Sequence, residues 1–165
     1  ALKASQSDFI ALLMVTGLRQ TEARTLKWSD IETDTYTIQD RKNNKTHTLP
    51  KTEVVRGIFN RNANSTQWVF PGKNGAASMD KAVGKASEEC GVKFSAHDLR
   101  RTAATIASEH GFTQDQIGRL LNHSSTSVTD KYIQKTTAAL LPILQQIEDE
   151  ILGNYEVPIK DQPAG

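Results

Sequence analysis

Residues 95–134 read SAHDLRRTAATIASEHGFTQDQIGRLLNHSSTSVTDKYIQ, and the punctuation of this stretch decides the fold. One helix is expected from Ser95 to His110, closed by Gly111, a residue that accepts the left-handed turn after a helix end. Thr113 is placed to cap a second helix reaching about Asn122, and Ser125 to Gln134 holds one more short helical stretch. This half of the chain is therefore helical.

The same stretch carries side chains with chemistry. His97 and Arg100 lie three residues apart, so a helix points them the same way. A guanidinium offers a planar fork for two phosphate oxygens, and an imidazole adds a donor or a proton shuttle. His123 stands where the second helix stops, and Tyr132 follows nine residues later. Each has a bland reading on its own: a solvated helix face, a helix-end histidine, a boundary tyrosine between Val128 and Ile133.

Toward the N-terminus, residues 5–16 read as a helix with Ser5 or Ser7 as its cap. Phe9, Leu12, Leu13 and Thr16 share a face, and Gly17 ends it. A short helix, Thr21 to Lys27, follows with Ala23 and Leu26 inward. Trp28 to Gln39 turns strand-like, since Thr35, Tyr36, Thr37 and Ile38 suit a pleated surface. Residues 41–45 make a hairpin turn, because asparagine tolerates positive φ, and Thr46 to Leu49 returns as a strand stopped by Pro50. Lys51 to Asn62 is helical with Val54, Val55, Ile58 and Phe59 on one stripe. Residues 67–75 loop around Val69-Phe70, and Ser78 to Cys90 is a helix with a serine cap. Thr136 to Leu152 places Leu140, Leu141, Leu144, Ile147, Ile151 and Leu152 at helical spacing, and residues 154–165 read as a flexible tail.

Two further groups join the candidates. Arg19 follows the first helix end, with Glu22 three residues on to pair with it. Lys42 sits at the hairpin tip, from which a lysine can swing in and protonate a leaving oxygen. Cutting a phosphodiester without a metal needs a nucleophile and fixed positive groups that hold the phosphoryl charge. Arg19, Lys42, His97, Arg100, His123 and Tyr132 supply both. Tyr36 in the strand and Tyr155 in the tail are poorer nucleophiles, and His47 and His110 read as structural or surface residues.

Composition sets the frame. The 165 residues suffice for one domain with a real core, and 37% hydrophobic with 24% charged residues is ordinary for a globular domain. No apolar run approaches the roughly 20 residues of a membrane span, and the N-terminus enters a helix without a leader pattern. The single Cys90 excludes an intramolecular disulfide and a cysteine-based zinc site, so a cytoplasmic setting is expected. Net charge is +1, yet residues 148–165 hold five acids and one base. Residues 1–147 are left with 19 bases and 14 acids, a modestly basic body that permits phosphate binding.

Five segments in order resemble the catalytic domain of the tyrosine recombinases, the phage-integrase family. TGLRQTEARTLKWSDI resembles its first arginine box and RKNNKTHTLP its β-hairpin lysine box. AHDLRRTAAT resembles its His-x-x-Arg box, IGRLLNHSS its Leu-Gly-His box and VTDKYIQ its tyrosine box. The match covers about residues 5–135. Asn122 stands where the family usually has glycine, and asparagine tolerates the same αL geometry. Lys45 is a second hairpin lysine, so Lys42 is chosen by its spacing to Pro50.

The resemblance implies an α+β, mostly α-helical fold with a small antiparallel hairpin in the N-terminal third. Residues 1–153 would form the catalytic domain, with the helix at about 136–152 included. The family's N-terminal DNA-clamping domain would be absent, making this a fragment of a longer integrase. The implied activity is site-specific recombination in integration or excision of a phage or mobile element, through a 3′-phosphotyrosyl intermediate. In it Tyr132 is the nucleophile, Arg19 and Arg100 clamp the phosphate, and His123 adds a hydrogen bond. His97 assists proton transfer, Lys42 is the general acid, and Glu22 orients Arg19. No cofactor and no metal are expected. The implied partners are double-stranded DNA, further copies forming a tetramer on it, and accessory DNA-bending proteins; no membrane is involved. The terminal apolar helix either docks on its own domain or on a neighbouring protomer. Other readings of the same residues are a type IB topoisomerase-like relaxing activity and a catalytically silent DNA-binding regulator.

Overall fold

A computed structural model describes residues 2–40, 44–123 and 133–153. In chain order these form α1 (Ala4–Thr16), α2 (Gln20–Arg24), a 3₁₀ turn (Trp28–Asp30), β1 (Thr35–Asp40) and β2 (Lys45–Pro50). Then come α3 (Glu53–Arg61), β3 (Pro71–Gly72), β4 (Gly75–Ala76), α4 (Asp80–Cys90), α5 (Ala96–Glu109), α6 (Gln114–Leu120) and α7 (Ile133–Gly153). The expected mostly helical α+β class is observed.

The core is built around α1, which packs against α2, α3, α4, α5 and α7. Its sequence explains the central place: Phe9, Ile10, Leu12, Leu13, Val15 and Thr16 are all buried, so apolar residues point in most directions, as a surrounded helix requires. Phe9 meets Phe70 edge-on at 5.2 Å, which anchors the short Val69-Phe70 segment beneath the helix.

The β1–β2 hairpin pairs Thr35 with Pro50 through Asp40 with Lys45. Its buried face carries Tyr36, Ile38 and Leu49, and Tyr36 packs edge-on against Phe59 of α3. Asn44 has φ +49°, the left-handed conformation that asparagine tolerates in a turn. Helix α7 lies against β2, α5, α1 and α6 of its own chain and buries Leu140, Ile143, Leu144 and Ile147. Most of its apolar stripe is thus used within the domain, while Leu152 stays exposed.

Several boundaries differ from the expected ones. Helix α1 starts at Ala4, ahead of both serines, because the Gln6 carboxamide accepts from the Lys3 N–H at 3.0 Å and closes the first turn there. In α4 the Ser78 hydroxyl donates to the Asp80 carboxylate instead of capping, so the helix begins at Asp80. Residues 28–39 are only partly strand: the Asp30 carboxylate accepts from Lys27 N–H and winds Trp28–Asp30 into a 3₁₀ turn. Helix α2 stops at Arg24, where the Thr25 hydroxyl bonds back to the Thr21 carbonyl. Helix α7 begins three residues before Thr136. The short helical stretch expected from Ser125 lies mostly outside the described residues, as does the 154–165 tail.

Candidate active site

The C-terminal ends of α1 and α6 and the first turns of α5 meet at one place. Gly17 ends α1 with φ +68°, and a Cβ added there would lie 2.7 Å from Leu121 Cδ2. Glycine is therefore needed twice, for the left-handed turn and for the close approach to the α6 end. Helix α6 ends in a Schellman turn. Asn122 takes φ +53°, its N–H donates to the Arg119 carbonyl, and the His123 N–H donates to the Gly118 carbonyl at 2.9 Å. Asparagine thus does what the usual glycine would, and the backbone of His123 is fixed by the motif.

Arg100 joins these two ends. It is in helical phase with Ala103 and Ala107 on the buried face of α5, and only 6% of it is exposed. Its Nη1 donates to the Gly17 carbonyl at 2.7 Å, and its Nη2 donates to the Leu121 carbonyl. Both acceptors are helix-terminal carbonyls that lack intrahelical partners. Burial and the neighbouring Arg19 push the Arg100 pKa down, while Glu22 pulls it up; it starts so high that the group stays cationic.

Arg19 follows Gly17 directly. Glu22, its side chain 10% exposed, accepts from the Arg19 backbone N–H at 2.8 Å and from its Nη1 at 2.9 Å. The bond to the backbone also closes the first turn of α2. The Arg19 side chain remains 47% exposed, so a held guanidinium faces solvent.

His123 lies exposed beside these groups. Partial burial, then the charges of Arg100 and Arg19, hold its pKa below the usual histidine range, which favours a neutral imidazole. The mutual influence of Arg19, Glu22, Arg100 and His123 places them in one electrostatic neighbourhood with two guanidinia and one carboxylate. Such a mouth can receive a phosphoryl group, with the donors fixed before it arrives.

The remaining candidates stand differently. His97 shares a helix face with Arg100 but not its surroundings. It is exposed in the first turn of α5, and its side chain makes no hydrogen bond or ion pair with a described residue, whereas Arg100 turns inward to two carbonyls. Lys42 and Tyr132 lie outside the described residues. Tyr36 is fully buried, and burial with Glu148 and Glu22 nearby pushes its phenol far above the usual range, which disqualifies it as a nucleophile. Among the described residues no group of three or more His, Cys, Asp or Glu is placed to hold a metal ion, and no helix is long and apolar enough to cross a membrane.

Sequence reasoning passed over His47. Its Nε2 lies 3.0 Å from the Leu120 carbonyl, so Nε2 carries the hydrogen and donates. Burial lowers its pKa most, that bond and then Glu22 oppose it, and Arg100 and Arg19 add smaller downward effects. The signal was present in the strand alternation: His47 is in phase with buried Leu49 and directly opposite buried Ile38.

Known proteins share this arrangement of elements. The chain is 30% identical to tyrosine recombinase XerS of Streptococcus pyogenes, over 74% of this chain and 40% of that protein. It therefore spans about two fifths of the length of such relatives. Among solved structures, the integrase from mycobacterium phage Brujita superposes with a TM-score of 0.70 at 25% identity, covering 89% of this chain and 58% of that one. The lambda integrase catalytic core gives 0.59 at 17% identity, covering 73% of this chain and 84% of that one, a likeness of fold. With the phage integrase family model matching residues 1–139, the fold and the ordered boxes have one explanation: the chain belongs to the phage integrase family.

Proposed function

We propose that this chain is the catalytic domain of a site-specific DNA recombinase that cuts and rejoins DNA through a 3′-phosphotyrosyl intermediate. The observation that carries the reading is the junction of α1, α5 and α6. There Arg100 is locked by two carbonyls, Arg19 is held by Glu22, and His123 is set by a Schellman turn.

The proposed chemistry joins those groups to Tyr132, Lys42 and His97. The Tyr132 phenolate attacks the scissile phosphorus, a P–O bond to the tyrosine forms, and the bond to the departing 5′-oxygen breaks. Arg19 and Arg100 bind the non-bridging oxygens most strongly as charge accumulates in the transition state, and His123 donates to the same group. A free phenol has a pKa of about 10, so the cationic surroundings assist its deprotonation. His97 is assigned as its proton acceptor and Lys42 as donor to the leaving oxygen. These two roles and that of Tyr132 rest on the family resemblance alone. The phosphotyrosyl link retains the energy of the broken bond, and a 5′-hydroxyl of another strand reverses the step.

Double-stranded DNA is the proposed partner, consistent with relatives such as the XerH recombinase solved on its difH substrate. Assembly as a tetramer on DNA, with accessory bending proteins and a cytoplasmic setting, belongs to the same reading. Helix α7 packs Leu140, Ile143, Leu144 and Ile147 on its own domain and leaves Leu152 exposed, so assembly would use its exposed end or other surfaces. The test is detergent trapping of a protein–DNA adduct on supercoiled plasmid, with Tyr132→Phe beside the unaltered chain. The adduct is expected only with the phenol present. An undiminished adduct in the variant would overturn the assignment.

A further inference from the structure

We propose that His47 is a positioning residue, holding the α6 turn in the register that aims Arg100 and His123. The inference rests on the reading of the site given above.

The α6 turn needs such support. A Schellman motif satisfies the carbonyls of Gly118 and Arg119, and among the described residues those of Leu120 and Leu121 have no backbone partner. Two side chains from different elements take them. His47, from β2, donates to the Leu120 carbonyl, and Arg100, from α5, donates to the Leu121 carbonyl. The successive carbonyls belong to adjacent, nearly rigid peptide planes. Whatever fixes the first therefore constrains the second, and with it the acceptor that orients one arm of the Arg100 fork.

The neighbourhood supports a dedicated role. His47 feels Glu22, Arg100 and Arg19, and the two arginines also act on His123. Its strand position is also fixed. The ring is opposite Ile38 and in phase with Leu49, both buried, so the imidazole is packed at the place from which it reaches α6. A leucine could fill that space. It could not donate a hydrogen bond, and it would leave the Leu120 carbonyl without this partner.

The experiment compares His47→Leu with His47→Gln, whose amide nitrogen can stand where Nε2 stands. Adduct formation on supercoiled plasmid is followed at saturating protein, with plasmid affinity measured separately. His47→Leu should slow adduct formation roughly tenfold to a hundredfold, the scale of a small misplacement of catalytic groups, with affinity held within about twofold. His47→Gln should recover most of the rate. A leucine variant that reacts at the unaltered rate would overturn the proposal, as would a glutamine variant as slow as the leucine one.

Amide hydrogen exchange supplies a readout that needs no reaction. In His47→Leu, the Leu121, Asn122 and His123 amides should exchange faster, while those of α1 stay protected. Unchanged exchange at the turn would contradict the positioning role. If no protein forms an adduct at all, the site reading fails, and the exchange data still decide whether His47 holds the turn.

Discussion

Arg100 donates through Nη1 to the backbone carbonyl of Gly17 at 2.7 Å, across 83 residues of chain. Its other arm reaches the Leu121 carbonyl, so one guanidinium ties the end of α1 to the end of α6. The group proposed to meet phosphate therefore also holds the fold. Arg100→Met should leave both carbonyls without this donor, at about 1–3 kcal/mol each. Urea unfolding would check this. A variant as stable as the unaltered chain would show that the two bonds contribute nothing net.

Gly17→Ala acts on the same junction from the other side. The new Cβ meets Leu121 Cδ2 at 2.7 Å in a left-handed backbone. The backbone part alone costs about 1–2 kcal/mol. Displacement of Leu121 adds to it and disturbs the acceptor of Arg100. Loss of stability together with slower adduct formation is expected. Loss of stability at full activity would separate the turn from the site.

Glu22→Ala tests orientation apart from stability. The pair with Arg19 is partly solvated, so the folded state should lose no more than about 1 kcal/mol. Adduct formation should fall by a larger factor than DNA affinity, because Arg19 keeps its charge and loses its aim. Equal falls in both would mean that Glu22 matters for binding alone.

Glu148 carries a pH prediction. It is 7% exposed on α7, and its carboxylate accepts from the Thr52 hydroxyl, the cap of α3. Burial raises its pKa above the usual carboxylate range, Asp149 adds to the rise, and the Thr52 bond opposes it. A carboxyl with a raised folded pKa binds its proton more tightly when folded. Its contribution is full below the unfolded pKa and is lost as pH rises through the folded one. Glu148→Gln keeps an acceptor for Thr52 and removes that loss. The variant should melt higher at pH 7, by about 2–4 °C for each kcal/mol recovered. The gain should shrink as pH falls below the usual carboxylate range. A lower melting temperature at pH 7 would show that the ionised pair is net stabilising.

His123 should titrate below the usual histidine range by NMR in the free protein, given its partial burial beside Arg100 and Arg19. Arg19→Gln should move it back toward that range. A His123 pKa at or above the usual value would place it away from the two guanidinia.

The sequence made much of this legible because glycine, serine and threonine punctuation is local. Gly17, Gly111 and Thr113 mark helix ends that a reader can place without a fold. The αL conformation of Asn122 was legible through the family resemblance, which has a glycine at that place. The serine caps of α1 and α4 were misplaced because Gln6 and Asp80 compete for the same groups through side-chain bonds that composition does not rank. The buried state of Arg100 was hidden, since its acceptors are backbone carbonyls far away in the chain. The inward phase of His47 could be read from the strand alternation, but its partner, the Leu120 carbonyl 73 residues on, could not. Side chain to backbone bonds between distant segments leave no residue pattern to read.

The most direct measurement maps the covalent intermediate and the DNA ends it leaves. Supercoiled plasmid is incubated with the protein, the reaction is stopped in detergent, and the adduct is digested for peptide mass. The freed ends are tested for direct 5′ labelling by polynucleotide kinase. A phosphotyrosine at Tyr132 with 5′-hydroxyl ends, absent in Tyr132→Phe, is the predicted result. An adduct on another residue, or 5′-phosphate ends, would contradict the account.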